Sequence, residues 1–441
     1  MYQPKMELTD AQKDILNGRL GETVAKMMEV VVRYGDTFNA KRLVPITHRK
    51  GHFVTSFGIN MLTPIYPLMD ELIKTTIYCP DGMTMDPRPM DYKNVKASLL
   101  ERIVSKKIIY GKQDQYESQL QQLGLKDLDG FTCTCYLKEV GNIPKYGDII
   151  SWAESSAVVF ANSVLGARCN RNSGVVEMFQ TLLGYVPEFG FITDAGRKAT
   201  WKVIVRTTKK PTAQVLGSAI GMKVTSDVPY IVGLDKYLNE LQDDGTIAYL
   251  KDMGAACASN GSVGLYHVHN ITPEAKNLGE SLLVENYKTY IIDDAELERV
   301  KSSYPVMWKK PNLKPKKCFI GCPHLSYDQL RLYSNRILDE LAQVGRKKVT
   351  VYTVFTAAPQ VIKKFSENDA GLLKRITDAN IHLSSICPLM FVDNPLSGSK
   401  PMITNSNKLR TYSNCRYYDD DEIIDILVGK EKCRWKSFKV E

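Results

Sequence analysis

The chain has 441 residues, 58 basic and 49 acidic side chains and a net charge of +9, too long for one simple core and ordinary for a globular protein at 44% hydrophobic and 24% charged. No segment approaches the ~20 apolar residues of a membrane helix, and MYQPKMELTDAQKD has no apolar stretch suited to a signal peptide, so the expected compartment is cytoplasmic, with no membrane role. The basic residues are scattered and their densest runs, Lys314–Lys317 and Arg346–Lys348, flank apolar strands, which argues against nucleic acid as a partner.

A capping box at Thr9-Asp10-Ala11-Gln12 starts the first helix, and Val24–Tyr34 resumes helical spacing. After a turn-rich stretch at Pro80–Pro89, residues 95–125 are expected to be helical. Gly130–Leu137 is expected to be a short strand, and a small-residue helix from about Ser151 to Leu165 follows. Its face of Ala153, Ala157, Ala161 and Val164 would let a neighbour approach closely. ATWKVIVR (199–206) alternates as a strand, and Gly261–Val268 is a second candidate. Residues 1–304 form an N-terminal α/β region, divided into two interleaved subdomains.

Residues 305–441 form a C-terminal α/β domain, entered through the joint MWKKPNLKPKK. CFIGC is an apolar strand followed by a capping box at Ser326-Tyr327-Asp328-Gln329. KKVTVYTVF, Ile381–Ile386 and Met402–Thr404 are further strands, and Asp419–Glu422 opens a helix. This βαβ alternation predicts a parallel sheet with helices on its faces, and ligands in such sheets bind beyond the carboxyl ends of the strands. Those ends carry Cys322, Thr356, Cys387 and Asn405-Ser406.

Ten cysteines, at 79, 133, 135, 169, 257, 318, 322, 387, 415 and 433, are not expected to be five disulfides in a reducing compartment. No CxxC occurs. Cys322 and Cys387 each precede proline, where an extended segment stops, and two such positions in one sheet can face one crevice. Cys133 and Cys135 would share a face of a strand. With Cys322 and Cys387 they could close a structural zinc site of four thiolates, whereas three cysteines would leave one iron of a cluster open for Lewis-acid chemistry. Cys318 would lie ~13 Å along the strand from Cys322, on the same face and in the core. His324 falls in the first turn of the next helix. His267 and His269 share one side of YHVHN, and His52 stands in THRKGHFVTS. Glu154, Ser155, Ser156, Arg168 and Arg171 flank the small-residue helix, and GARCNRNSG suits a carboxylate or phosphate.

Read together, FTCTCY (131–136), SWAESSAVVFANSVLGARCNR (151–171), GAACASNGSVGLYHVHNITPEA (254–275), FIGCPHLS (319–326), Cys387-Pro388 and TNSNK (404–408) resemble the large, catalytic subunit of the aconitase X family. The resemblance implies an aconitase-like multidomain α/β fold with its cleft at strand ends. It implies a hydro-lyase, the known members being cis-3-hydroxy-L-proline dehydratases and mevalonate 5-phosphate dehydratases. It implies an iron–sulfur cluster on Cys133, Cys322 and Cys387, with one iron open. Cys135 stands where the family usually has proline, and Cys169 where it usually has threonine. The family's swivelling domain has no counterpart in the chain, so a small swivelling subunit is the implied partner in a heterodimer and the source of a catalytic serine. On this reading Ser406, Lys408 and His324 are candidate catalytic residues. Glu154, Ser155, Ser156, Asn162, Arg168, Arg171, His267 and Asn405 are candidate contacts for a small anionic hydroxy acid. An alternative is a non-catalytic zinc protein, or the same apparatus turned to another hydroxy acid.

Overall fold

The computed structural model describes residues 2–430 except 76, 311, 394, 395 and 399, so Cys433 lies outside the described residues. From Ala199 the chain alternates strand and helix. Strands β1 (Ala199–Val205), β2 (Pro229–Val232), β3 (His267–Val268) and β4 (Leu283–Ile292) form a sheet in the order β3-β2-β1-β4, all parallel. A second parallel sheet contains β5 (Lys317–Leu325), β6 (Tyr352–Ala357), β7 (Ile381–Ser384), β8 (Met402–Thr404) and β9 (Arg416–Tyr417), ordered β7-β6-β5-β8-β9. The fold is α/β, as the alternation predicts.

Central β5 is buried along its whole length. A parallel strand covered on both faces must be a continuous apolar run, which is why CFIGC reads as one. The capping boxes at Thr9, Ser326 and Asp419 all form, starting the helices Asp10–Leu16, Tyr327–Gln343 and Asp420–Val428. One apolar core runs through both large sheets. The helix Ser155–Phe160 enters it beside Asp244–Asn260, where Gly254 lets Val159 approach: a Cβ there would stand 3.2 Å from its methyl.

Four expectations fail locally. Residues 130–137 form no strand; Phe131 makes a single bridge to Met85. Thr134 N–H instead donates to the Thr132 hydroxyl at 3.1 Å, and Leu137 N–H to the Thr134 carbonyl at 3.1 Å. Threonine side chains that bond locally compete with a ladder, and here the turn wins. The small-residue helix starts at Ser155, because Trp152 pairs with His52 and the Glu154 carboxylate caps the first turn. Its second half, Ala161–Leu165, widens to π-type turns and stops at Gly166. The 95–125 helix is broken into Leu99–Ile103, a wide turn at Val104–Ile109, and Gln113–Gln122.

The last correction concerns β5 itself. His324 lies within the strand and not in the following helix. Gly321, at φ +115°, and a register shift against β6 reverse the alternation there. Cys318 therefore packs in the main core while Cys322 joins Phe319 in a separate cluster, so the two do not share a face.

Candidate active site

One strand and two loops carry the cysteines. Cys322 lies within β5, just past Gly321. Cys387 follows β7 and opens the helix Pro388–Val392, its N–H bonded to the Arg88 carbonyl at 2.8 Å. Cys133 sits in the threonine turn. His324 joins the three segments. Its backbone N–H points to the Cys133 sulfur at 3.4 Å. Its Nε2 meets the Ile386 carbonyl at 3.0 Å and its Nδ1 the Thr132 hydroxyl at 3.0 Å. A carbonyl can only accept, so Nε2 carries the proton and Nδ1 accepts. Burial lowers this imidazole to about 4, so it is neutral. Ser406 is likewise engaged: its hydroxyl donates to the Cys322 carbonyl and accepts from Leu409 N–H at 3.1 Å, capping the helix Asn407–Tyr412. Both residues hold cysteine segments in place.

Lys408, on that helix, forms a buried ion pair with Glu154. Ser156 supports the carboxylate with a 2.6 Å bond and Ala157 N–H with another of 2.6 Å. Burial would raise Glu154, but Lys408 outweighs it and holds the carboxyl at about 2. Burial works against the Lys408 charge, and Glu154 with the neighbouring Cys322 and Cys133 restores and raises it. Burial keeps all three thiols above their usual range: Cys133 with Glu154 adding, Cys322 with Lys408 opposing, and Cys387 with Asp86 adding. Such thiols stay protonated until a cation arrives to displace the proton.

Several buried polar atoms around this pair have no partner among the described residues: His52 Nε2, Asp86 Oδ1, Tyr136 Oη, Arg171 Nη1 and Glu177 Oε1. His52 Nε2 and Asp86 Oδ1 stand 3.9 Å apart, while His52 Nδ1 bonds the Thr84 hydroxyl at 3.0 Å. Burial lowers His52 to about 4 and raises Asp86 well above its ordinary value, Glu154 adding to the latter. Burial also lowers Arg171, which feels Tyr412 and Glu154. An unpaired buried polar atom costs about 1–3 kcal/mol, and such a concentration calls for something polar to fill the space. Ser155, half-buried at the head of its helix, makes no hydrogen bond among the described residues.

Among the described residues no group of three or more cysteine, histidine or acidic side chains is arranged to hold a metal ion. Cys135 is buried in the main apolar core, whereas Cys322 packs in a separate cluster. Iron–sulfur clusters are held by cysteine thiolates, so the donor chemistry of Cys133, Cys322 and Cys387 fits such a group.

Three of the expected contacts are engaged in other bonds, and a fourth lines a hollow beside Cys322. Asn162 donates to the Cys169 and Gly264 carbonyls, at 2.8 Å each, and accepts from Arg197. His267 Nε2 bonds the Arg197 carbonyl at 2.9 Å, and its Nδ1 stands 3.7 Å from Glu274. Arg168 pairs with surface-exposed Asp194. Asn405 donates to the Tyr333 hydroxyl at 3.0 Å and to Asp420 at 2.8 Å, and lines a hollow of about 750 Å³ with Cys322, Pro323 and Ser406. Asp86, Tyr136 and Glu177 join the site without being singled out by the sequence. The proline-bracketed MTMDPRPMDY is the only signal near Asp86.

The first-domain model of aconitase X matches residues 5–195 and the second-domain model residues 199–302. The chain belongs to the aconitase X family. It is 30% identical to the phosphomevalonate dehydratase large subunit of Thermococcus kodakarensis, over 92% of this chain and 95% of that one. The cis-3-hydroxy-L-proline dehydratase of Pseudomonas aeruginosa is 25% identical over 93% of this chain and 66% of its own. A crystal structure of Thermococcus kodakaraensis aconitase X in holo form superposes with a TM-score of 0.77 at 28% identity, covering 96% of this chain and all of that one. The enzyme class is therefore hydro-lyase, the class to which these dehydratases belong. Among the described residues no helix is long and apolar enough to cross a membrane.

Proposed function

We propose that the chain is the large subunit of a cytoplasmic iron–sulfur dehydratase for a small hydroxy acid with a second anionic group, mevalonate 5-phosphate being the first candidate. One observation carries this reading: three cysteine segments meet at a buried Lys408–Glu154 pair ringed by unpartnered polar atoms. Cys133, Cys322 and Cys387 would hold the cluster, which when bound supplies a Lewis acid for polarising the departing hydroxyl.

The chain's own groups do the rest. Lys408 stays charged and binds an anionic group of the substrate, held on station by Glu154. Arg171, with a free Nη1, takes the second anionic group. Asp86, kept protonated by burial, donates a hydrogen bond to the oxygen that leaves. Ser155 and Ser156 supply hydroxyls beside Lys408. The Thermococcus and cis-3-hydroxyproline relatives act on different substrates, and the higher identity to the former favours a phosphorylated one. The name "large subunit" among the relatives supports a second, small chain, here taken to be a swivelling subunit that covers the site and brings a serine base.

The test is an anaerobic assay of the chain with its small subunit against mevalonate 5-phosphate and cis-3-hydroxy-L-proline. Dehydration of the former is expected. Turnover of the proline alone would refute the substrate assignment, and turnover of neither would refute both.

A further inference from the structure

A second hollow lies at the opposite end of the five-stranded sheet. Its volume is about 610 Å³, and it is lined by Lys93, Lys96, Arg102, Lys316 and Lys317 together with Tyr92, Asn94, Tyr352, Asn380 and His382. Half of the lining is cationic and none of it carboxylate. Lys317 begins β5 and Tyr352 begins β6, so the hollow is about 16 Å along the strand from Cys322. It is not an extension of the cysteine site.

The cations are available. None of the five forms an ion pair with a carboxylate among the described residues. The nearby Glu101 is held by Lys400 at 2.6 Å, and Asp91 by Ser384 at 2.7 Å and Asn94 at 2.8 Å. Lys317 is buried and bonded to the Lys96 carbonyl; burial lowers its ammonium to about 8, with Glu101 opposing and Lys400 and Lys96 adding. Like charges gathered this closely are unfavourable unless an anion joins them. Beside them the His382 ring stacks on Tyr352 at 4.5 Å and 23°, a planar surface at the rim of the charge.

We propose that this hollow is a binding site for a phosphorylated small molecule carrying a planar ring, such as a nucleoside polyphosphate. The phosphates lie against Lys93, Lys96, Arg102 and Lys316, and the ring against the His382–Tyr352 stack. The volume suits a ligand of that size. The site has a direct mechanical link to the cysteines through residues 86–96. Asp86 faces the reaction site and the Arg88 carbonyl holds Cys387 N–H. At the other end the Tyr352 hydroxyl donates to the Asn94 carbonyl at 3.0 Å and accepts from Lys96 N–H at 3.0 Å. A ligand bridging Lys93–Lys96 to Lys316 would fix that segment against the sheet. The proposal holds whichever substrate the enzyme takes.

Calorimetric titration of the full chain with ATP and with inorganic tripolyphosphate tests it. Both bind, ATP more tightly by about fivefold or more through stacking. Lys96→Glu with Lys316→Glu, both exposed, weakens both ligands about tenfold or more. His382→Ala weakens ATP and leaves tripolyphosphate unchanged. Absence of binding by either ligand, or binding indifferent to the charge reversals, overturns the site. ATP no tighter than tripolyphosphate overturns the assignment of the ring.

Discussion

Arg197 and Lys408 are both buried cations that face a buried glutamate, yet their surroundings differ. Arg197 grips Glu274 with two bonds of 2.6 and 2.8 Å, and its remaining N–H groups reach Asn162 and the Phe191 carbonyl. His267 and Asn162 complete a brace with no donor left over. Lys408 and Glu154 satisfy each other, but His52, Asp86, Tyr136 and Arg171 around them retain open valences. Burial of charge alone therefore marks neither a site nor a scaffold. What separates them is whether the hydrogen-bonding capacity closes, since only an open set has capacity left for a ligand.

The largest expected effect is at the cysteines. Cys133→Ser, Cys322→Ser or Cys387→Ser should each remove bound iron and lower turnover at least about 10³-fold, several kcal/mol of lost Lewis-acid stabilisation. Next, Lys408→Met and Arg197→Met should each cost about 3–5 kcal/mol in urea unfolding, because each strands a buried carboxylate. Turnover per folded molecule should fall about 10²–10³-fold for Lys408→Met alone. An equal fall for Arg197→Met would erase the distinction between the two networks.

Acid should strain both networks. His52, His267 and His324 are each held at about 4 by burial, against 6.5 in the unfolded chain. Between those values the unfolded state binds more protons at the imidazoles, so their contribution to stability is complete above pH 6.5 and lost as pH falls toward 4. The three imidazoles alone would give a slope of up to roughly 4 kcal/mol per pH unit, which Asp86 and Glu177, raised by burial, oppose. Glu154, at about 2 against 4.5, adds a further loss only below pH 4.5. His267→Gln should remove about one of the three protons in unfolding measured against pH. The smallest effect concerns Arg171. A Cβ on Gly264 would stand 2.7 Å from the Phe191 ring and 3.0 Å from the Arg171 side chain, so Gly264→Ala displaces both and should raise KM about five- to tenfold through the shifted guanidinium, while kcat changes little.

The parallel C-terminal sheet, the capping box at Ser326 and the helix start at Asp419 were legible in the sequence because each rests on local spacing or charge. The rest was not. His52 and Asp86 meet because two three-residue strands, Gly51–Phe53 and Met83–Met85, pair in parallel, and segments that short carry no periodic signal. His324 looked like a helix-cap residue because nothing local foretells the bulge at Gly321. His267 and Asn162 lie in motifs that match the family, and such motifs contain braces as well as ligand contacts. Only their bonds to Arg197 tell one from the other.

Iron and acid-labile sulfide analysis of anaerobically purified protein, in the wild type beside Cys135→Ser and Cys322→Ser, tests the central claim most directly. The account predicts brown wild-type and Cys135→Ser proteins with iron and sulfide, and a colourless Cys322→Ser. A colourless wild type with one tightly bound zinc, or a Cys135→Ser variant bleached like Cys322→Ser, would contradict it.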